Sequence, residues 1–332
     1  MNYFCFSGSS YGMCHRTAIS SLPWLPILAV LAVFIPGAAA ARPDLEQACK
    51  PFISTDEPVS EFTEENIPFG DAVFWRIQKG KTTSHILGTI HSQDRRVTEL
   101  SPQQRLILAR SDRLLIEVIP DAEANQAYFD SIYSSTGPGL QQSLSRPFYS
   151  RLREIAADYG LKPERLNALE PWAAFSQIGR PKPVNGPTQD MVIYQNAVRM
   201  GKPVIGLETM PELIDTLSAL PHDDQIIILK DTICNHARIV RESKTLLDLY
   251  LAGDLAGMVA FNEQPHYDEA IFERFMEAVL HRRNERIFKR MLSYLEQGGS
   301  FVAIGALHLP DDDGLLQMLD EAGYQVSPVN SK

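Results

Sequence analysis

Two segments whose histidines lie 217 residues apart end in the same way. Ser84-His85-Ile86-Leu87-Gly88-Thr89-Ile90-His91 and Phe301-Val302-Ala303-Ile304-Gly305-Ala306-Leu307-His308 both run through an apolar, β-like stretch into Gly-x-x-His. Glycine at such a point permits a bulge or the close approach of another backbone or a ligand. The histidine falls where the strand should leave its sheet. Ligands of open α/β sheets bind outside the carboxyl ends of the strands, so both imidazoles are candidates for one crevice. Two further apolar runs end in acids: Leu114-Leu115-Ile116 in Glu117, and Val204-Ile205-Gly206-Leu207 in Glu208. A carboxylate ending a buried strand needs a partner, because an unpaired buried charge is costly.

His91, Glu117, Glu208 and His308 supply the groups for two chemistries. Two imidazoles with one or two carboxylates suit zinc, manganese, cobalt or a similar divalent ion. The same set without metal suits general acid and base catalysis. Either leads to hydrolysis. Each residue also has a plainer explanation. Glu117 fits a pair with Arg113 or a helix N-terminus, and Glu208 fits a cap for the helix after Thr209-Met210-Pro211. His85, before the glycine, reads as packing or an edge residue, and Arg283-Asn284 lie on a charged helix with a solvated face. It is the repetition of Gly-x-x-His that favours function. Residues 41–332 contain no Gly-x-Ser-x-Gly, no phosphate-binding Gly-x-x-x-x-Gly-Lys and no His-Glu-x-x-His. Ser92 beside His91 is a possible nucleophile on adjacency alone.

The elements that must position these groups follow from pattern and punctuation. Strands are expected at 72–77 and 82–90, joined by the turn Gln78-Lys79-Gly80-Lys81 as a hairpin. Ser101-Pro102 opens a helix as cap and first-turn proline. Leu114 to Val118 follows as a buried strand, making a βαβ unit. Helices dominate 121–200, with an amphipathic run at 144–159, and again 211–297, with a break at Gly253 and one long segment at 268–297. Strands are expected at 203–208, 300–305 and 324–326, with a helix over 314–322. The expected fold class is α/β: a mixed, largely parallel central sheet with flanking helices and a helical insertion, within one domain over 41–332.

Composition narrows the class further. The 332-residue chain has a formal net charge of −10 and is 44% hydrophobic, which argues for a folded globule. Residues 1–40 read as a secretory signal: basic Arg16, an apolar stretch at 22–35 and small residues at 36–41. That stretch is short of the ~20 residues needed to span a bilayer, so no stable span is expected once the signal is cleaved. Met1 and Met13 are both possible starts. Removing the signal, which carries one basic and no acidic residue, leaves 292 residues at −11. An acidic chain with no basic run is a poor partner for nucleic acid. Export to a periplasmic or external space is the expectation. There, Cys49 and Cys234 form either one bridge or two buried thiols.

The chain resembles the TraB/GumN family, which includes the Tiki-type proteases. The resemblance spans Val73 to Val329. It rests on Phe74-Trp75-Arg76, Leu87-Gly88-Thr89-Ile90-His91, Leu115-Ile116-Glu117, Gly201-Lys202-Pro203-Val204-Ile205-Gly206-Leu207-Glu208-Thr209, Arg283-Asn284 and Ile304-Gly305-Ala306-Leu307-His308-Leu309. It implies a fold related to erythromycin esterase and the haem-binding ChaN group. It also implies a metal-dependent protease centred on His91, His308 and Glu117, with Glu208, Arg283, Asn284 and Asp190 in support, acting on a peptide or small-molecule substrate. The alternatives it leaves open are a non-catalytic haem- or small-ligand-binding protein and an envelope or polysaccharide accessory protein.

Overall fold

The computed structural model of the chain describes residues 43–53, 67–134, 137–184, 186–263 and 267–329. The expected signal at 1–40 lies outside the described residues. Six strands form one open sheet: β1 (Phe74–Lys79), β2 (Thr82–Thr89), β3 (Arg113–Ile116), β4 (Val204–Gly206), β5 (Ser300–Gly305) and β6 (Gln325–Pro328). Their order is β4-β3-β5-β2-β1-β6. The pairs β4–β3, β3–β5 and β5–β2 are parallel, while β1 is antiparallel to both β2 and β6. The fold is thus mixed α/β, with a largely parallel sheet and flanking helices. The expected hairpin is β1–β2. The expected βαβ unit forms around the helix Pro102–Arg110, whose Ser101 and Gln104 make a reciprocal capping box. Its two strands are not neighbours, since β5 enters between them from the far end of the chain.

The alternation of side chains along β5 builds two apolar layers. Val302 and Ile304 join Trp75, Ile86, Leu115, Ile287, Met291 and Leu316 on one side. Phe301 and Ala303 join Phe74, Leu87, Leu114, Leu108 and Ile193 on the other. A fully buried Leu, Ile or Phe stabilises by about 1.5–3 kcal/mol, so this central strand is held hard from both faces. A third cluster belongs to the helical segments: Phe148, Leu152, Ile155, Trp172, Phe175, Leu213, Leu229 and Ile233, joined by Val118 just beyond β3. The 31-residue helix His222–Ala252, ~46 Å long at 1.5 Å per residue, ties the two parts together. Its Leu229 and Ile233 lie in the helical core and its Tyr250 under the sheet. Cys49 and Cys234 form a disulfide with Cα atoms 5.5 Å apart, which resolves the choice between bridge and thiols.

Two details differ from expectation, and a third settles an alternative in favour of packing. β3 ends at Ile116, so Glu117 stands just past the strand. The run expected as one helix over 268–297 is divided into Glu269–Met276, a π-helical turn Glu277–His281 and Arg282–Gln297. His85 is half-buried on an interior strand, its ring 5.9 Å from that of Phe74.

Candidate functional site

Sheet order and register place four strand ends side by side. Thr89 of β2 is opposite Gly305 of β5, Ile116 of β3 is opposite Ala303, and Ile116 is opposite Gly206 of β4. Beyond the strands the pairing continues, with the Glu208 N–H donating to the Glu117 carbonyl at 2.7 Å. The residues that follow therefore emerge on one edge, in the order Glu208, Glu117, His308, His91.

The two glycines explain how the ends come so close. A Cβ on Gly88 would lie 3.1 Å from the Ala306 Cα and 2.9 Å from a Leu309 methyl, so the first motif needs glycine for the second to pack on it. A Cβ on Gly305 would meet Glu117 Oε1 at 3.2 Å. In its absence the Gly305 N–H donates to that oxygen at 2.7 Å.

Glu117 sits between cations and imidazoles. Its Oε2 accepts from Arg283 Nη2 at 2.6 Å. Burial pushes its carboxyl up, but Arg283, His308, His91 and the Gly305 N–H together hold it well below the usual carboxylate range. The plainer pairing with Arg113 is not made; that guanidinium donates to Tyr294 and Gly298 carbonyls instead. Glu208 does not cap the next helix either. Thr209 and Glu212 form that capping box, while Glu208, 2% exposed, accepts from Arg283 at 2.6 Å and from Arg286 at 2.5 Å. Arg283 and Asn284 are buried, so the expected solvated helix face is overturned at these two positions. They point toward the strand ends because their partners are there: Glu117 and Glu208 for Arg283, the His308 ring and the Asp313 carbonyl for Asn284.

The imidazoles differ. His308, in a 3-10 turn after β5, is buried. Its Nε2 faces Arg283 Nη1 at 3.3 Å and its Nδ1 lies 2.6 Å from Asn284 Oδ1. A guanidinium only donates, so Nε2 accepts and Nδ1 carries the proton. Asn284 fits this, because its Nδ2 donates to the Asp313 carbonyl. Burial first, then Arg283, lower the His308 pKa to about 3, over the opposing pull of Glu117. His91 is 39% exposed, with Nδ1 2.8 Å from Asp190 Oδ2. Asp190, opening the helix Gln189–Arg199, also accepts from the Thr89 hydroxyl at 2.5 Å. Burial raises its carboxyl, yet His91 and Thr89 hold it below its ordinary value. Ser92 Oγ accepts from the Asp94 N–H and serves the turn.

Residues that the sequence left unmarked complete the β2 end. Gln189 Oε1 accepts from the Ile90 N–H at 3.0 Å, and its Nε2 donates to Tyr250 at 2.9 Å. The Tyr250 hydroxyl donates to the Gly88 carbonyl at 2.7 Å. Thr188 starting a helix is the only sequence signal for Gln189. Tyr250, far away on a long helix, leaves none.

In donor type the site fits a divalent ion. Both imidazoles have Nδ1 fixed by an oxygen, the usual orienting contact of a metal-binding histidine, and a carboxylate held anionic lies within electrostatic reach of both. Among the described residues, no three His, Cys, Asp or Glu side chains are drawn together as a finished ligand cluster. Arg283 stands among these donors instead. No described helix is long and apolar enough to cross a membrane.

A family model described as the TraB/PrgY/gumN family matches residues 73–328. The uncharacterized protein YbaP of Shigella flexneri is 24% identical over 72% of this chain and 89% of its own. Metalloprotease TIKI2 of Danio rerio is 24% identical over 92% of this chain and 68% of its own, and metalloprotease TIKI1 of Homo sapiens 23% identical over 77% and 61%. No solved structure matches.

Proposed function

The chain belongs to the TraB/PrgY/gumN family, and from that premise we propose that it is an exported metal-dependent hydrolase acting on peptide bonds at the ends of β2, β3 and β5. The observation that carries the reading is the pair of imidazoles fixed through Nδ1 by Asp190 and Asn284, with Glu117 beside both. The metalloprotease names of the Tiki relatives agree with it.

His91, His308 and Glu117 would hold the ion, which supplies Lewis acidity and an ionisable water near neutral pH. The chain's own groups do the rest. Asp190 keeps His91 in the Nδ1–H form. Asn284 does the same for His308 without adding charge, and burial and Arg283 keep that imidazole neutral at working pH. Glu208, clamped by Arg283 and Arg286, fixes the helix Arg282–Gln297 against the strand ends. The disulfide supports an oxidising compartment, as does the signal-like start at 1–40.

The test is peptide hydrolysis by purified protein with and without Mn²⁺, Co²⁺ or Zn²⁺, together with elemental analysis. The expected result is metal-dependent turnover lost in His91→Ala and Glu117→Gln. Turnover that survives in both variants overturns the proposal.

A further inference from the structure

Arg283 has five N–H bonds to give, and all five are placed. Nε donates to Glu208 Oε2 at 2.9 Å, and Nη2 to the same oxygen and to Glu117 Oε2, both at 2.6 Å. Nη1 donates to the Val279 carbonyl at 3.2 Å and faces His308 Nε2 at 3.3 Å. Two of these acceptors, Glu117 and His308, belong to residues that the proposed function assigns to the ion. A lone pair that accepts from a guanidinium is not offered to a metal, and a fixed positive charge at contact distance repels a second cation. The guanidinium lies buried between two carboxylates, where it does the neutralising work of a bound ion.

Resting on that reading of the site, we infer that Arg283 is its resident cation: guanidinium and divalent ion hold Glu117 and His308 alternately, and the ion enters as Arg283 withdraws onto Glu208. Two features of the fold suit such an exchange. Glu208 already accepts from Arg283 Nε and Nη2 and is anchored independently by Arg286, so Arg283 keeps an anion after letting go of Glu117. Arg283 also lies two residues past the π-helical turn Glu277–His281, and its Nη1 reaches back to Val279 within that turn. π-Turns interrupt the regular ladder and recur at functional positions, where local readjustment of the backbone is easier than in an unbroken helix.

The experiment is a calorimetric titration with Mn²⁺ alone on four proteins: wild type, Glu208→Gln, Arg283→Met with Glu208→Gln, and His91→Ala. Pairing the two substitutions removes one positive and one negative charge together, so the buried balance is kept. Thermal unfolding of each variant confirms that it is folded, and Arg283→Gln with Glu208→Gln replaces the double variant if it is not. The expected result is Mn²⁺ binding about tenfold or more tighter in the double variant than in Glu208→Gln, the order expected when a like charge at contact is lost. If wild type binds no Mn²⁺ but the double variant does, Arg283 is a fixed cation that excludes the ion, and both the alternation and the metal-dependent reading fall. If wild type binds Mn²⁺ in a His91-dependent way and the Arg283 variant binds no tighter, the alternation is overturned and the metal-dependent reading stands. Absence of binding in all four overturns both.

Discussion

The ends of β2 and β5 carry the same four-residue pattern and lie side by side, yet they set their histidines in opposite surroundings. At the β5 end, His308 is buried against Arg283 and receives a neutral amide oxygen from Asn284. At the β2 end, His91 is 39% exposed and receives a carboxylate from Asp190. The motif therefore fixes where an imidazole stands, while the residues that meet its Nδ1 fix what it can do. An amide holds a tautomer. A carboxylate holds the same tautomer and sets a negative charge beside the ring. One end is buried and neutral, and the other is partly exposed with an anionic partner.

Replacing each histidine by alanine should break the symmetry most sharply. Both changes should cost roughly 10²–10⁴-fold in hydrolysis, the usual worth of a positioned catalytic group. His308→Ala should also cost more stability than His91→Ala, which leaves Asp190 its Thr89 hydroxyl. The His308 change strips a partner from buried Asn284 and Arg283, at about 1–3 kcal/mol for each polar group left unsatisfied. Denaturant unfolding of the two variants distinguishes them. Equal stability losses would show that the two environments do not differ as described.

Acid should sharpen the contrast next. The His308 pKa of about 3 lies below the ordinary 6.5. Between those values the unfolded chain binds a proton that the native protein refuses, so stability falls as pH is lowered through that window, by at most about 1.4 kcal/mol per pH unit. Asp190 works in the same direction, but only as pH falls below its ordinary 3.8. His308→Gln should flatten the stability curve between pH 6.5 and 4.5, and Asp190→Asn only the limb below 3.8. A curve for His308→Gln with unchanged slope above pH 4.5 would remove the buried neutral imidazole from the account.

What the sequence disclosed follows the range of its signals. The strand-end residues His91, Glu117, Glu208 and His308 were legible because apolar runs and the repeated glycine mark strand ends locally. The parallel order that makes them neighbours depends on β5 entering from the far end of the chain, which no local pattern encodes. Arg283 looked like part of a solvated face because its periodicity is that of a charged helix. Its burial is imposed by Glu117 and Glu208, more than 70 residues away. Glu117 itself was legible as an acid needing a partner, but the nearest candidate in sequence, Arg113, was the wrong one.

A smaller effect is expected from the groups that orient the rings. Asp190→Asn keeps an oxygen for His91 Nδ1 but removes the charge. Outer contacts of this kind are worth about 10–100-fold in metal affinity. Asn284→Ala deprives His308 of its oxygen but leaves Arg283 on Nε2. Mn²⁺ titration should show the Asp190 change weakening binding through charge, with most of the loss kept at high salt because the side chain is only 16% exposed. A loss that disappears in high salt would place the contribution at the surface and undo the parallel between the two ends.

The smallest expected effect concerns how the β2 end is held. On β5 strand pairing ends at Gly305, and beyond it the motif is held by side chains: Glu117 takes the Gly305 N–H, and Arg283 and Asn284 meet the His308 ring. β2 runs out of strand partners near Thr89, and there Gln189 and Tyr250 take the Ile90 N–H and the Gly88 carbonyl. Tyr250→Phe keeps the ring in the core under the sheet and removes only the hydroxyl. The Gly88 carbonyl then loses its donor and Gln189 loses an acceptor, a net cost of about 0.5–1.5 kcal/mol for a typical hydrogen bond. If those contacts do no more than support the fold, unfolding alone should change. If they aim His91, ¹⁵N spectra of the imidazole should also show loss of the single Nδ1–H form, while His308, held by Arg283 and Asn284, keeps its own. Both rings changing together would mean the two ends move as one body, and the difference between them would then lie in charge alone.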